Sequence, residues 1–292
     1  MVACAVRVLS SAHMTLLRRK PLRLALGLTL LFAGILGVLY CGARFGFYFE
    51  RYNFVYSLPT KPNIEASFLR TFGLQRSYSQ FGQDLWVALV TASGKRNGFY
   101  VDAGSADGRF MSNTRLLDEL GWKGICIDPF PTNMNRRTCE VFRQPVFSES
   151  GKKVSFRVAG MLGGIDSELG KYKDTTAGAR TVELVTATLD EILAKGHAPQ
   201  YIDYMSIDVE GAEYDALQGL SLDRYQIGTF TIEHNFETKK REAIRTLLEG
   251  KGYVRVRVWE VEDWYVHPQI ASRIPGFVAY CSRAPCGVYP WR

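Results

Sequence analysis

From about Ser79 the chain alternates short apolar runs with helically spaced stretches, which predicts an α/β domain. Gly98-Phe-Tyr-Val-Asp-Ala-Gly104 reads as a strand running into a glycine turn. Helical spacing follows over 111–120 and stops at Gly121. Gly124-Ile-Cys-Ile-Asp128 predicts a second buried strand, ended by Pro129. A helix is expected over 132–142, a short third strand over 145–148, and a strand or hairpin arm over 152–159. Residues 160–180, rich in Gly, Thr and charge, read as a long loop. Thr188 or Thr186 caps a short helix over 188–194. A fourth strand (202–208), a helix (212–220), a fifth strand (227–233) and a helix (237–249) follow. The alternation over 253–266 predicts one long strand or two antiparallel ones ending the sheet.

The N-terminal part has a different pattern. Residues 24–43 read LALGLTLLFAGILGVLYCGA, twenty residues without a charge. At 1.5 Å per residue that helix spans about 30 Å, a bilayer's hydrocarbon thickness. The apolar core is longer than that of a cleaved signal peptide, so a retained anchor is expected. Arg18, Arg19, Lys20 and Arg23 crowd its front, which favours a cytosolic N-terminus and a lumenal or extracellular bulk. The predicted organisation is a basic tail (1–23), a membrane helix (24–43), a stalk (44–77) and a globular domain (78–292). The secretory pathway is the expected location. The acid-poor, Arg-bearing first 49 residues leave a mitochondrial presequence as the alternative.

Composition narrows the picture further. With 292 residues, 47% hydrophobic and 22% charged, the chain is an ordinary globular one plus an appendage, not a disordered or fibrous one. The formal charge of +7 is concentrated in residues 1–51, which hold seven Lys/Arg and one acid, Glu50. The remainder is nearly neutral, so no nucleic-acid partner is expected. Six cysteines form neither a CxxC nor a Cys/His cluster at metal spacing, so no metal site is expected. Cys281 and Cys286 are either a pair formed in an oxidising compartment or two ordinary thiols near a chain end.

Four elements carry candidate chemistry, each at the end of a predicted strand. Asp102-Ala-Gly104-Ser-Ala-Asp107-Gly108 places glycines where backbone can approach a ligand. Asp102 is then a partner for the cationic part of that ligand; the other reading is a tight strand–helix turn. The spacing is not the Gly-x-Gly-x-x-Gly of dinucleotide folds, which disfavours an oxidoreductase. Asp128, at the end of the next strand, lies where a Rossmann-like sheet places the acid that binds ribose hydroxyls. Asp208 and Glu210, in Ser-Ile-Asp-Val-Glu-Gly-Ala-Glu213, are candidate general bases, while Glu213 either joins them or caps the following helix. His234, in Thr-Ile-Glu-His-Asn235, is a candidate proton acceptor or a solvent-facing strand end.

Together Tyr78-Ser-Gln-Phe-Gly-Gln-Asp84, GFYVDAGSADGRFMSNT (98–114), GWKGICIDPFP (121–131), TLDEIL (188–193) and MSIDVEGAEYDALQGL (205–220) resemble the FkbM-type methyltransferases. The resemblance covers about 78–267. It implies a class I methyltransferase fold: a Rossmann-like, seven-stranded, mostly parallel sheet with an antiparallel last strand. It also implies S-adenosylmethionine as donor and, generally, methyl transfer to oxygen. On this reading Asp102, Gly104 and Gly108 shape the methionine and adenosine pocket, Asp128 binds the ribose, and Asp208 and Glu210 border an acceptor that the sequence does not identify. The anchor and lumenal placement support a second reading: a non-catalytic secretory-pathway protein that uses the fold to bind a client in cargo trafficking or export.

Overall fold

A computed structural model describes residues 77–273. In chain order they form α1 (Gln83–Trp86), β1 (Phe99–Ala103), α2 (Arg115–Glu119), β2 (Lys123–Ile127), β3 (Glu140–Phe142), β4 (Lys153–Val158), β5 (Gly164–Ile165) and β6 (Arg180–Val185). These are followed by α3 (Leu189–Lys195), β7 (Tyr201–Ile207), α4 (Glu213–Gln218), β8 (Gln226–Glu233), α5 (Thr238–Gly250), β9 (Val254–Trp259), β10 (Glu262–Val266) and α6 (Pro268–Ala271).

The near-continuous apolar runs of β1, β2, β7 and β8 are buried on both faces, as parallel strands covered by helices must be. They form the middle of a seven-stranded sheet of order β3-β2-β1-β7-β8-β10-β9. Only β10 runs against its neighbours. This is the mixed α/β, mostly parallel architecture expected from the sequence, and the alternation over 253–266 resolves into two antiparallel strands. Thr188 caps α3, its hydroxyl accepting from the Glu191 N–H at 3.2 Å. α5 turns Ile244 and Leu248 into the core and its charges outward.

A second, three-stranded antiparallel sheet, β5-β4-β6, is inserted between β3 and α3. Phe147, Val154, Phe156, Ile165 and Ala212 form its own small core. The stretch expected as a 160–180 loop therefore contains a strand and two 3-10 turns, and β6 follows it.

Three expected elements differ from the structure. The helix expected over 132–142 is a single 3-10 turn, Met134–Arg136, followed by β3. A disulfide between Cys126 and Cys139 ties this chain beside β2, where Val141 pairs with Cys126. Closing a loop of that length, with a sequence separation of 13, constrains the unfolded chain by about 3 kcal/mol. The strand expected over 145–148 is extended but outside the sheet, making one bridge, Val146 to Ala187; Pro145 has no N–H for a ladder. The helix expected over 111–120 shrinks to α2 because Met111 is left-handed, at φ 54°, and the Ser112 hydroxyl takes the Arg115 N–H at 3.2 Å.

Among the described residues no helix is long and apolar enough to cross a membrane. The span expected at 24–43, and the Cys281 and Cys286 pair, lie outside the described residues.

Candidate functional site

The strands that run in parallel deliver their C-terminal ends to one edge of the sheet, where ligands of open α/β folds bind. A cavity of about 460 Å³ opens there. Asp102 and Gly104 reach it from the end of β1, Asp128 from β2, Asp208 and Glu210 from β7 and its turn, and Glu233 from β8. The 78–84 segment adds Gln80 and Phe81 to the wall. Buried Asp84 holds that segment in place, accepting from the Ser77 and Ser79 hydroxyls (2.7 and 2.6 Å) and the Tyr78 N–H (2.7 Å).

One half of the cavity presents two carboxylates beside an apolar slot. Asp102 is buried, and its Oδ2 accepts from the Thr114 hydroxyl at 2.5 Å. Burial pushes its carboxyl up while Arg137 pulls it down. Asp128 accepts from the N–H groups of Phe130 (2.7 Å) and Ala106 (3.0 Å), one on each oxygen. Each oxygen keeps a second lone pair for a ligand hydroxyl. Ile127, Pro145, Val146 and Phe156 are among the apolar residues of the lining. Ser105 Oγ and Asn113 Oδ1, on cavity-lining residues, are buried without a hydrogen-bond partner in the chain.

The other half is acidic. Asp208, Glu210 and Glu233 each bring an oxygen within 4.8 Å of the others. The side chains of Asp208 and Glu233 interact, which lowers the carboxyl of Asp208 and raises that of Glu233. The Asn235 amide donates to Glu233 at 2.5 Å and to Glu210 at 3.5 Å. Burial pushes all three carboxyls up, and each is raised further by at least one carboxylate neighbour. Glu210 is left-handed at φ 56°, just before Gly211 at φ 105°, a conformation costing about 1–3 kcal/mol for a residue with a Cβ. Glu213 pins this turn, its Oε1 accepting from the N–H groups of Val209 (3.0 Å) and Gly211 (2.9 Å). It stands in the first turn of α4 without a side-chain cap hydrogen bond to that helix, and it holds the turn rather than joining the cavity lining. The all-oxygen triad is also of the kind that hard divalent cations take, a ligand class without the Cys and His spacing of a zinc site.

The structure brings Asp102, Gly104, Asp128, Asp208 and Glu210 to one cavity. His234 and Gly108 are not among its lining residues. The buried His234 ring faces away: its Nδ1 accepts from the Phe236 N–H at 3.1 Å, and its Nε2 points to Asp263 at 3.8 Å. Burial, with Arg241 and Arg255 nearby, lowers its pKa to about 4, so the ring is neutral and offers no lone pair to a substrate. A Cβ on Gly108 would meet the Met134 sulfur at 2.7 Å, so this glycine lets the β2–β3 loop pack against the β1–α2 loop. Gly104 lines the cavity, but a Cβ there would lie 1.6 Å from the Asp208 carbonyl oxygen. Its absence lets two strand ends meet before it lets a ligand approach. Glu233, which the sequence reading does not single out, lines the cavity where its neighbour His234 does not. The missed signal was positional, since Asp128 and Asp208 also stand where an apolar strand ends.

The donor set fits S-adenosylmethionine: a buried carboxylate for an ammonium group, a second one for a ribose diol, an apolar slot for a base, and buried hydroxyl and amide oxygens not yet partnered. Comparisons with curated proteins and with solved structures return no match. The family model of the Methyltransferase FkbM domain matches residues 102–255, from Asp102 through the acidic triad. That stretch is more than half of the sequence, and the chain belongs to the FkbM methyltransferase family.

Proposed function

We propose that the protein is an S-adenosylmethionine-dependent O-methyltransferase. One observation carries this reading: the donor-type carboxylates Asp102 and Asp128 and the acidic triad face a single cavity. Bound S-adenosylmethionine supplies an electrophilic methyl group. Asp102 holds the ammonium end and Asp128 the ribose hydroxyls, fixing the methyl group's position along the sheet edge. Asp208, whose carboxyl is the least raised of the three, takes a proton from an acceptor hydroxyl. Glu210 borders the acceptor, and Met161, Leu162, Lys171 and Tyr172 of the inserted sheet's connections wall off that side.

The test is calorimetry of S-adenosylmethionine with the full chain. The unmodified protein binds, and Asp128→Ala loses hydrogen bonds to a charged acceptor, each worth about 1.5–3 kcal/mol, so its Kd rises roughly tenfold to a hundredfold. Equal affinity in both proteins removes Asp128 from the donor site.

For location we propose that residues 24–43 anchor the chain in a secretory-pathway membrane with the globular domain in the lumen. The Cys126–Cys139 disulfide supports an oxidising compartment. Protein denatured without reductant straight from cells is expected to leave both thiols unalkylated. Protease added to sealed microsomes is expected to spare the domain. Alkylation of Cys126 and Cys139, or digestion of the domain in intact vesicles, overturns the assignment.

A further inference from the structure

We infer that Arg137, outside the cavity lining, is a positioning residue for the methyl donor: it holds Asp102 in place and in charge balance through Thr114. The inference rests on the donor-site reading above.

The Arg137 side chain is 1% exposed. A guanidinium has five N–H donors and accepts nothing, and here five acceptors meet it. Nε donates to Asp118 Oδ2 at 2.6 Å. Nη1 donates to the Ser112 hydroxyl at 3.2 Å and to the Gly108 carbonyl at 3.4 Å. Nη2 donates to the Tyr100 hydroxyl at 3.0 Å and to Thr114 Oγ1 at 2.6 Å. The last contact decides a direction. Thr114 has one proton, and because its oxygen accepts from Arg137, that proton is committed to Asp102 Oδ2, 2.5 Å away. The relay is therefore Arg137 to Thr114 to Asp102. It delivers positive charge toward a buried carboxylate that has acidic neighbours in Asp118, Asp128 and Asp208. Without it, burial and these neighbours favour a protonated Asp102, which has no charge to offer an ammonium group.

Backbone placement supports the same role. Arg137 lies two residues before Cys139, so the disulfide to Cys126 fixes its segment against β2. The same segment is joined to the glycine turn by Gly108 N–H to Thr132 O (2.9 Å), Thr132 N–H to Ala106 O (2.8 Å) and the Thr132 hydroxyl to Asp107 (2.9 Å). One stapled loop thus carries Asp128 directly and governs Asp102 at a distance.

The experiment is a double-mutant cycle on the full chain, read as S-adenosylmethionine affinity by calorimetry alongside thermal unfolding. Arg137→Gln is expected to weaken binding at least about tenfold, Arg137→Lys less, since it keeps the charge and loses the fork. In an Asp102→Asn background, which has no carboxylate to balance, Arg137→Gln is expected to leave affinity unchanged. Thr114→Val keeps shape, breaks the relay and follows the same pattern; it decides the matter if Arg137→Gln does not fold. A merely structural role predicts equal losses in both backgrounds. Equal losses, or unchanged affinity of the single variants, overturn the inference while leaving the donor site standing. No binding by the unmodified chain overturns both.

Discussion

Gly104→Ala is expected to abolish donor binding and to destabilise the domain together, by about 4 kcal/mol or more. A Cβ at this position would lie 1.6 Å from the Asp208 carbonyl oxygen and 2.6 Å from its carbon, and φ is +91°. The obstacle is backbone, not the far end of a flexible side chain, so relief requires β1 and β7 to part at the cavity edge. Asp208 N–H to Ala103 O, at 2.9 Å, and Gly104 N–H to Ile127 O, at 2.8 Å, are the bonds that parting strains. Moving this edge displaces Asp102, Asp128 and Asp208 together. Denaturant unfolding and calorimetry on the same preparation check the result. A variant as stable as the unmodified chain that has lost only donor affinity would show that Gly104 serves ligand approach, as the sequence suggested. Gly108→Ala meets the flexible end of Met134 first and is expected to be far milder.

Much of this arrangement is legible in the sequence because parallel strands buried on both faces leave a periodic trace. The runs ending at Asp102, Asp128, Asp208 and Glu233 locate one edge of one sheet. Thr188 announces its helix by capping chemistry. What stays hidden depends on long-range partners. Arg137 reads as one more basic residue in a polar stretch; nothing local says that Asp118 and Thr114 enclose it. Cys126 reads as an apolar strand residue, and Cys139, thirteen positions on, shows neither metal nor redox spacing. That Glu233 and not His234 lines the cavity is hidden for a related reason. Adjacent residues at a strand end point to opposite sides, and only Asp263, Arg241 and Arg255 beyond β8 reveal which side is walled off. The inserted sheet is concealed by two-residue β5 and by β6, whose Val182 and Leu184 alternate with exposed polar positions but are only partly buried.

Asp208→Asn is expected to lower methyl transfer about 10²–10⁴-fold, the range a positioned base contributes, while leaving donor affinity nearly unchanged. The substitution keeps the shape of the side chain, and the proposed donor contacts lie on Asp102 and Asp128. It removes the carboxylate proposed to take the acceptor's proton. Glu210→Gln is expected to act on the proposed acceptor side, because Glu210 shares the Asn235 amide with Glu233. Each variant replaces a buried carboxyl by a neutral amide of the same shape, so both are expected to be as stable as the parent, which thermal unfolding checks, and both are compared at equal folded concentration. Until an acceptor is identified, the measurement is single-turnover methyl transfer to a membrane extract, with donor affinity by calorimetry in parallel. The trafficking alternative expects the opposite pattern in cells. A module that only binds a client tolerates Asp208→Asn and Glu210→Gln together, whereas an enzyme loses function with either. Full rescue of a loss-of-function phenotype by the double variant would therefore move the acidic triad from chemistry to binding, with the donor half of the cavity unaffected.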